Sequence, residues 1–300
     1  MIILDYSQIA MSVITNSEFK PLLVSGDETQ VKNIVRHAIL NTILSYKNKY
    51  SKEYGQVVIA ADGRNYWRKE VFPYYKGDRK KSREKSDLNW KLIFDCMTSI
   101  REDIKEYFPY KVMHIDRAEA DDIIAILSEW SQTNELASTG LFEEPQKIMI
   151  ISSDHDFLQL QKWDNIYQFS PIIKKQLKMS KRDLYEKYIT HIVKASDDGI
   201  PNILSDDSAI VTEGVRQTPV SAKRLAEFIE LGKAACKNDT EIRNWDRNEQ
   251  LISFEKIPVD IRETIIDEYI NCKPKMDRMR IMNYLIQNRC KLLLDKIEEF

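Results

Sequence analysis

The sequence predicts an α/β protein in which helices flank a mostly parallel central sheet, followed by a smaller helical region. Short, apolar runs rich in β-branched residues alternate with amphipathic helical patterns through the first half of the chain. Such runs suit the strands of a parallel sheet, because helices cover both of its faces. The second half is polar and helical. We therefore place a boundary at residue 190, between an α/β domain (1–190) and a helical domain (191–300).

Four apolar runs predict the parallel strands, and an aspartate follows each run within three residues. The runs are residues 2–4, 57–59, 112–115 and 148–151, and the aspartates are Asp5, Asp62, Asp116 and Asp154. Apolar residues spaced three and four apart predict amphipathic helices over 31–46 and 92–104. Residues 166–169 and 174–179 predict a hairpin.

Composition excludes several classes of protein. With 43% hydrophobic residues the chain of 300 residues can fill a core, and 8 Gly and 9 Pro exclude a collagen-like or low-complexity protein. No apolar run approaches the ~20 residues that span a bilayer, and the N-terminus shows no signal-peptide pattern. We therefore expect no membrane partner. The four cysteines and four histidines lack the spacing of a zinc site, so free thiols are expected.

A basic segment between Arg64 and Lys85 departs from the near-neutral charge of the chain. It holds nine Lys or Arg and three Asp or Glu, a local charge of 9 − 3 = +6 in a chain of net charge −2. Tyr66, Trp67 and Tyr75 lie among the cations. Positive charge can follow a phosphate backbone while aromatic rings stack on bases, so the segment predicts a nucleic-acid interface. The alternative is a solvated loop.

Carboxylates are expected to meet at one edge of the predicted sheet. Asp5, Asp62 and Asp154 follow different strands, Asp121 opens the helix after residues 112–115, and Asp156 follows Asp154. Ligands of open α/β sheets bind at the carboxyl ends of the strands. Converging carboxylates repel unless cations neutralise them, and oxygen ligands select Mg²⁺ or Mn²⁺ over zinc. Each aspartate alone is explained as a turn or N-cap residue, which is the role assigned to Asp116 and Asp122.

Two divalent cations held by such a cluster suit the hydrolysis of a phosphodiester. One ion activates water and the other stabilises the leaving oxygen. The basic segment directly after Asp62 supplies the second requirement, a surface for the polyanionic substrate.

The sequence resembles the flap endonuclease/5′-3′ exonuclease superfamily, and most closely its bacteriophage members. The matching segments occur in family order: 4–10 (LDYSQIA), Asp62 with 66–68 (YWR), 74–79 (YYKGDR), 119–122 (EADD), 151–157 (ISSDHDF) with Gln159 and Leu160, and 198–201 (DGIP). They cover roughly residues 1–230. Each motif alone is weak, whereas all of them in order are specific.

The resemblance implies a PIN-like 5′-nuclease fold and an activity. The protein would be a 5′-3′ nuclease of ribonuclease H type that acts on RNA–DNA and DNA duplexes with 5′ ends or flaps. It would remove RNA primers during phage DNA replication in the cytoplasm of the infected bacterial host. A monomer is expected, with the single-stranded-DNA-binding protein of the replisome as a candidate partner.

The resemblance also implies roles for individual residues. A first Mg²⁺ would be held by Asp5, Asp62, Asp121 and Asp154, with Glu119 nearby, and a second by Asp156 and Asp198; Mn²⁺ is expected to substitute. Residues 64–87 would form an arch for the 5′ strand, with Lys76 and Arg79 at the scissile phosphate. Residues 200–214 and the helix 218–230 would form a helix-three-turn-helix element that grips the duplex. The residues predicted to contact nucleic acid are Arg64, Arg68, Tyr75, Lys80, Lys81, Gly199 and Ile200.

One departure from the family pattern concerns the second cation. The family shows an aspartate where this chain has Ala195, so the second site is expected to be weakened and a substitution to Asp to strengthen it. Two alternatives stay open at this point. One is a structure-specific DNA-binding protein of the same fold with weakened catalysis. The other is a phosphatase of the haloacid dehalogenase type, although Ser7 stands where that chemistry needs a second acid.

Overall fold

The central sheet carries the predicted strands in a mostly parallel arrangement. The computed structural model describes residues 1–15, 28–133, 145–195 and 197–300, and only the backbone of residues 80–82. Within this part of the chain the strands are β1 Ile2–Asp5, β2 Val57–Ala61, β3 Lys111–His114, β4 Ile148–Ile151, β5 Ile166–Ser170 and β6 Lys175–Leu177. Their order is β3-β2-β1-β4-β5-β6, and only β6 runs antiparallel to its neighbour. The predicted α/β fold and hairpin are confirmed.

Helices occupy most of the remaining described chain. They are α1 Tyr6–Ile14, α2 Glu28–Tyr54, α3 Trp67–Val71, α4 Asp78–Glu84, α5 Trp90–Tyr107, α6 Ala120–Thr133, α7 Lys181–Lys194, α8 Ala222–Leu231, α9 Asp239–Ile252, α10 Val259–Asn271, α11 Arg278–Gln287 and α12 Lys291–Leu294. Short 3₁₀ helices include Asp156–Lys162 and Asp197–Gly199. No helix in the described ranges is both long and apolar enough to cross a bilayer.

The order of the strands fixes where a ligand can bind. From β1 the chain adds β2 and then β3 on one side, and it returns to place β4 on the other side of β1. The crevice at such a reversal, outside the carboxyl ends of the strands, is the usual ligand site of an open α/β sheet. Asp5 ends β1, and Asp154 follows β4 across this crevice.

Two hydrophobic cores cover the two faces of the sheet, and the C-terminal helices complete both. On one face α1, α2 and α5 pack with Ile281, Tyr284 and Leu293 of α11 and α12. On the other face α6 packs with residues of α10, including Ile265. The chain beyond residue 258 thus returns to the sheet. The boundary at residue 190 stays a prediction.

A third core joins the basic segment to the helical region. Phe72 and Tyr75 are buried with Ile192 of α7, Phe228 of α8 and Trp245 of α9. The turn between α3 and α4 is therefore anchored on the helical region rather than on the sheet. This contact brings the predicted arch and the C-terminal helices to the same edge as Asp5 and Asp154.

Gly63 allows the chain to leave β2 directly after Asp62. Its amide donates to the carbonyl of Ala118 (2.8 Å), and a Cβ at this position would lie 1.8 Å from the carbonyl oxygen of Ile115. The carbonyl oxygens of Ile115 and Ala118 that a Cβ would meet are backbone atoms. A side chain could therefore be accommodated only by moving the chain that carries Asp62.

We expect Gly63→Ala to lower the free energy of unfolding by at least ~2 kcal/mol, because the added methyl overlaps fixed backbone. Gly55→Ala is the matched control: its Cβ would meet open space, and only its φ of +82° carries a cost of roughly 1–2 kcal/mol. Urea unfolding of the two variants measures the difference. Equal losses would show that the close approach at Gly63 is not restrictive.

Candidate active site

Asp5 links the ends of two neighbouring strands. It is the N-cap of α1, where its Oδ1 accepts a hydrogen bond from the amide of Gln8 (3.0 Å). Its Oδ2 accepts from the hydroxyl of Ser152, at the end of β4 (3.1 Å). Both oxygens are therefore held in place, and the side chain is buried.

Asp62 connects the end of β2 to two helix N-termini. Its Oδ2 accepts from the hydroxyl of Ser7 in the first turn of α1 (2.7 Å). Its Oδ1 accepts from the amide of Ala120, the first residue of α6 (3.0 Å). Helix N-termini attract negative charge, so this placement stabilises the carboxylate.

The loop after β4 is fixed by side chains from α1 and β5. The amide of Ser153 donates to Oε1 of Gln8 (2.5 Å), and Gln168 donates from Nε2 to the carbonyls of Ser152 (3.0 Å) and Asp154 (2.5 Å). Asp154 then accepts through Oδ1 from the amide of Asp156 (2.8 Å). These contacts place both carboxylates at the rim of the cleft.

Three of the rim carboxylates carry charge that the protein leaves largely uncompensated. Burial, followed by repulsion from Asp62 and Asp154, raises the pKa of Asp5 to about 7. Burial and repulsion from Asp156 raise the pKa of Asp154 to about 6. Burial and repulsion from Asp154 and Asp5 raise the pKa of Asp121 well above its usual value. The repulsion shows that these carboxylates sense one another across the cleft.

The donor set suits a hard divalent cation. The rim offers carboxylate oxygens, which Mg²⁺ and Mn²⁺ prefer. In the described ranges no group of three or more His, Cys, Asp or Glu side chains is arranged so that it could by itself hold a metal ion. Mg²⁺ does not need such an arrangement, because it usually keeps several waters and binds one or two carboxylates. Donor type and uncompensated charge therefore fit such an ion.

The opposite side of the cleft is neutralised by the protein itself. Lys76 pairs through Nζ with Glu119 and, at 3.5 Å, with Oδ2 of Asp198. Arg79 pairs through Nη2 with Oδ1 of Asp198. Burial alone would raise the pKa of Asp198, but Lys76 and Arg79 hold it below its usual value. The cleft thus has a side of repelling carboxylates and a side of paired charges.

Arg68 lies inside the protein, which corrects its predicted role in contacting nucleic acid. Its Nη1 donates to Oε2 of Glu119 and to Oδ1 of Asp122, both at 2.8 Å, and its Nε donates to the carbonyl of Leu251 in α9 (2.8 Å). Only 3% of the residue is exposed. Arg68 therefore orients Glu119 and ties α3 to α6 and α9.

Tyr75, Gly199 and Ile200 are also buried. The predicted contact of the Tyr75 ring with nucleic acid is corrected in the same way, whereas contacts through the backbone of Gly199 and Ile200 stay a prediction. The hydroxyl of Tyr75 lies 2.9 Å from Oε2 of Glu119 and 3.1 Å from Oδ2 of Asp198. A Cβ on Gly199 would lie 3.1 Å from the carbonyl oxygen of Tyr74. These residues join the basic segment to the helical region.

The other predicted residues occupy different environments. Arg64 and Arg79 are exposed, and the side chains of Lys80 and Lys81 lie outside the described residues. Asp116 is exposed in a turn, as its structural role predicts.

Asp122 has the role predicted for it at the N-terminus of α6, together with contacts that the sequence patterns did not indicate, and the role of His191 was not indicated. Asp122 accepts from the amide of Glu119 (2.9 Å), from Nε1 of Trp67 (3.1 Å) and from Arg68. His191 contacts Asp156 through Nδ1 at 2.8 Å. The available signal was weak: His191 precedes Ala195 by one helical turn, but no periodicity shows which aspartate it faces.

Some of these groups border one large open cleft of about 1170 Å³. Its lining includes Lys76, Arg79, Asp121, Asp154, Asp156, His191 and Asp198. Two cations of the basic segment, Lys76 and Arg79, therefore line the same cleft as the carboxylates Asp121, Asp154 and Asp156.

Comparisons with known proteins agree with this arrangement. Residues 7–189 match the family described as 5′-3′ exonuclease, N-terminal resolvase-like domain, and residues 178–300 match T4 RNase H, C terminal. The ribonuclease H of Enterobacteria phage T4 is 32% identical over 308 residues, which cover 99% of this chain and 95% of that protein.

Solved structures share the fold at lower identity. The T5 D15 protein co-crystallised with metal ions has a TM-score of 0.59 at 20% identity, covering 90% of this chain and 98% of that one. The bacteriophage T5 D15 flap endonuclease in a complex with DNA and metal ions has a TM-score of 0.55 at 20% identity, covering 99% and 98%. The chain thus belongs to the 5′-3′ exonuclease family of nucleases that hydrolyse phosphodiesters.

Proposed function

We propose that the protein is a Mg²⁺-dependent 5′-3′ nuclease that removes RNA primers from RNA–DNA and DNA duplexes with 5′ ends or flaps during phage DNA replication. The observation that carries this proposal is the cleft itself, which Asp121 and Asp154 line together with Lys76 and Arg79. The relatives support the substrate class, since one is a phage ribonuclease H and another is a flap endonuclease bound to DNA and metal ions.

The side of repelling carboxylates would hold the first cation. Asp5, Asp62, Asp121 and Asp154 supply its oxygen ligands, and Mn²⁺ replaces Mg²⁺ because both favour oxygen. The bound ions would activate water and neutralise charge on the leaving oxygen. Hydrogen bonds from Gln8, Ser7 and Ser152 already orient the oxygens of Asp5 and Asp62.

Lys76 and Arg79 stabilise the negative charge that develops on the phosphate under attack. To do so, they would break their ion pairs with Glu119 and Asp198 and bind phosphate oxygens instead. Glu119 is 1% exposed and is held by Arg68, so it acts by positioning Lys76 rather than by touching substrate.

The duplex beyond the cleft would contact the helical region. Residues 200–214 form turns without regular helix, and α8 begins at Ala222 with Ser221 as its N-cap. Such turns and helix N-termini bind phosphates without reading sequence. Exposed Arg64, together with Lys80 and Lys81, adds positive charge near the 5′ strand. A monomeric state, a replisome single-stranded-DNA-binding protein as partner, and the cytoplasm of the infected host complete the proposal.

A DNA-binding protein with weakened catalysis is the second candidate, and Ala195 is the observation that favours it. In the structure this side chain is buried in the third core, with a backbone φ of +41°. The same tests of cleavage distinguish the two candidates.

We expect Asp5→Asn and Asp154→Asn to reduce cleavage of a 5′-flap substrate at least about 100-fold at saturating Mg²⁺, while DNA binding remains measurable. Asp116→Asn, at the exposed strand-end aspartate, is the control and should cleave normally. Single-turnover cleavage and filter binding measure the two quantities. If Asp5→Asn kept wild-type turnover, Asp5 would not be a ligand of the proposed cation.

The same Asp5→Asn variant should be more stable than wild type in EDTA, and more so as the pH rises. With its pKa raised to about 7, Asp5 is protonated in the folded protein at pH 5, and the stability contributed by that proton is lost as the pH passes 7. The substituted asparagine carries no charge at any pH and can still cap α1. We expect a gain in Tm of at least about 2 °C at pH 8 and a smaller gain at pH 5. A gain independent of pH would contradict the burial of a repelled carboxylate.

We expect Arg79→Ala to slow single-turnover cleavage by about 100-fold or more with little loss of duplex affinity. Lys69→Ala is the matched control, because Lys69 is an exposed cation of the same segment that pairs with no carboxylate of the cleft in the described contacts. It should leave the rate unchanged and reduce only the salt dependence of binding. Parallel losses of affinity at unchanged rates in both variants would make Arg79 part of an electrostatic surface only.

Because Ala195 is buried among apolar residues, we now expect Ala195→Asp to destabilise the protein rather than to strengthen the second cation site. Ala195→Asn is the matched control, since it has the same shape without the charge. Melting temperatures of both variants, with and without Mg²⁺, measure the effect. If Mg²⁺ restored the stability of Ala195→Asp alone, the new carboxylate would reach the cation and the buried placement would be wrong.

A further inference from the structure

The end of α7 places a histidine against one of the cleft carboxylates. Nδ1 of His191 lies 2.8 Å from Oδ1 of Asp156, and the two side chains are 22% and 25% exposed. His191 lies in the last turn of α7, whose neighbouring Ile192 and Val193 are buried in the third core. The position of the imidazole is therefore set by the packing of the helix.

This contact fixes the orientation of Asp156. Its amide already donates to Oδ1 of Asp154, which holds the backbone of the residue. A hydrogen bond from Nδ1 of His191 then restrains Oδ1 of the carboxylate, and both residues line the cleft.

His191 lies where the family pattern loses a carboxylate. The amide of Ala195 donates to the carbonyl of His191 (2.7 Å), so the two residues are one helical turn apart. Ala195 is buried in the third core beside the cleft, and His191 borders the cleft with Asp156, Asp197 and Asp198. The imidazole is thus a polar group that this end of α7 contributes to the cleft.

We propose, on the basis of the proposed function, that His191 is a positioning residue of the second cation site: it holds Asp156 in the orientation that binds the cation. Ligands of metal sites are commonly oriented by such partners, and loss of the partner weakens metal affinity by about 10–100-fold. This support matters here because the chain has Ala195 in place of a further carboxylate.

The experiment measures Mn²⁺ binding to the full chain without nucleic acid, by the electron paramagnetic resonance signal of free Mn²⁺. Wild type should bind two ions. His191→Ala should weaken one of them about 10-fold or more and leave the other unchanged. His191→Asn, whose amide can donate from the position of Nδ1, should restore binding; His191→Gln, whose amide lies at the position of Nε2, should not. His155→Ala is the matched control, because His155 lines the same cleft beside Asp156 but is exposed.

The outcomes separate the proposal from the function on which it depends. Unchanged or tighter binding by His191→Ala overturns the positioning role. If His191→Ala fails to fold, equal binding by the Asn and Gln variants overturns it instead. If the wild type binds only one ion, and Asp5→Asn abolishes that binding, the proposed role of His191 is wrong but the proposed nuclease function stands. A wild type that binds no Mn²⁺ and cleaves no flap overturns the proposed function itself.

Discussion

The buried guanidinium of Arg68 is the contact on which the geometry of the cleft depends. It joins α3, at the start of the basic segment, to Glu119 and Asp122 at the N-terminus of α6 and to a carbonyl of α9. A buried charge without its partners destabilises a protein by about 3–5 kcal/mol, so the separation of α3, α6 and α9 is energetically unfavourable. The position of Glu119 then sets the position of Lys76.

The carboxylates of the cleft lie in two opposite electrostatic environments: within the described part of the chain some have no cationic partner, and others are paired with cations. On the side of the sheet, burial and then repulsion from neighbouring carboxylates raise the pKa values of Asp5, Asp121 and Asp154, an arrangement that suits a cation. On the side of the basic segment Asp198 is satisfied by Lys76 and Arg79. In the proposed mechanism a substrate phosphate would compete for these two cations, which are paired with carboxylates in the structure.

The helical region has more than one structural task. Helices α7 to α9 hold the basic segment through Phe72 and Tyr75, whereas α10 to α12 complete the cores on the two faces of the sheet. The cleft forms between the sheet edge and the first of these groups. Asp198 reaches the cleft only because the chain leaves α7 there, through residues with φ of +41° at Ala195 and +54° at Asp198.

The α/β fold, the hairpin and the edge at which Asp5, Asp62 and Asp154 lie could be predicted from the sequence, because strand and helix periodicities and the handedness of parallel connections depend on the local chain. The sequence also indicated the cationic segment and, through ordered motifs, the family. Tertiary structure alone decided that Arg68 and Tyr75 are internal, that Ala195 faces a core, and that His191 meets Asp156. Each of these depends on contacts between residues far apart in the chain, and a residue type does not reveal which partner the fold will bring to it. The sequence does not distinguish a basic or aromatic residue that contacts phosphate from one that contacts a buried carboxylate. Phosphate and carboxylate satisfy the same charge and hydrogen-bonding requirements of that residue.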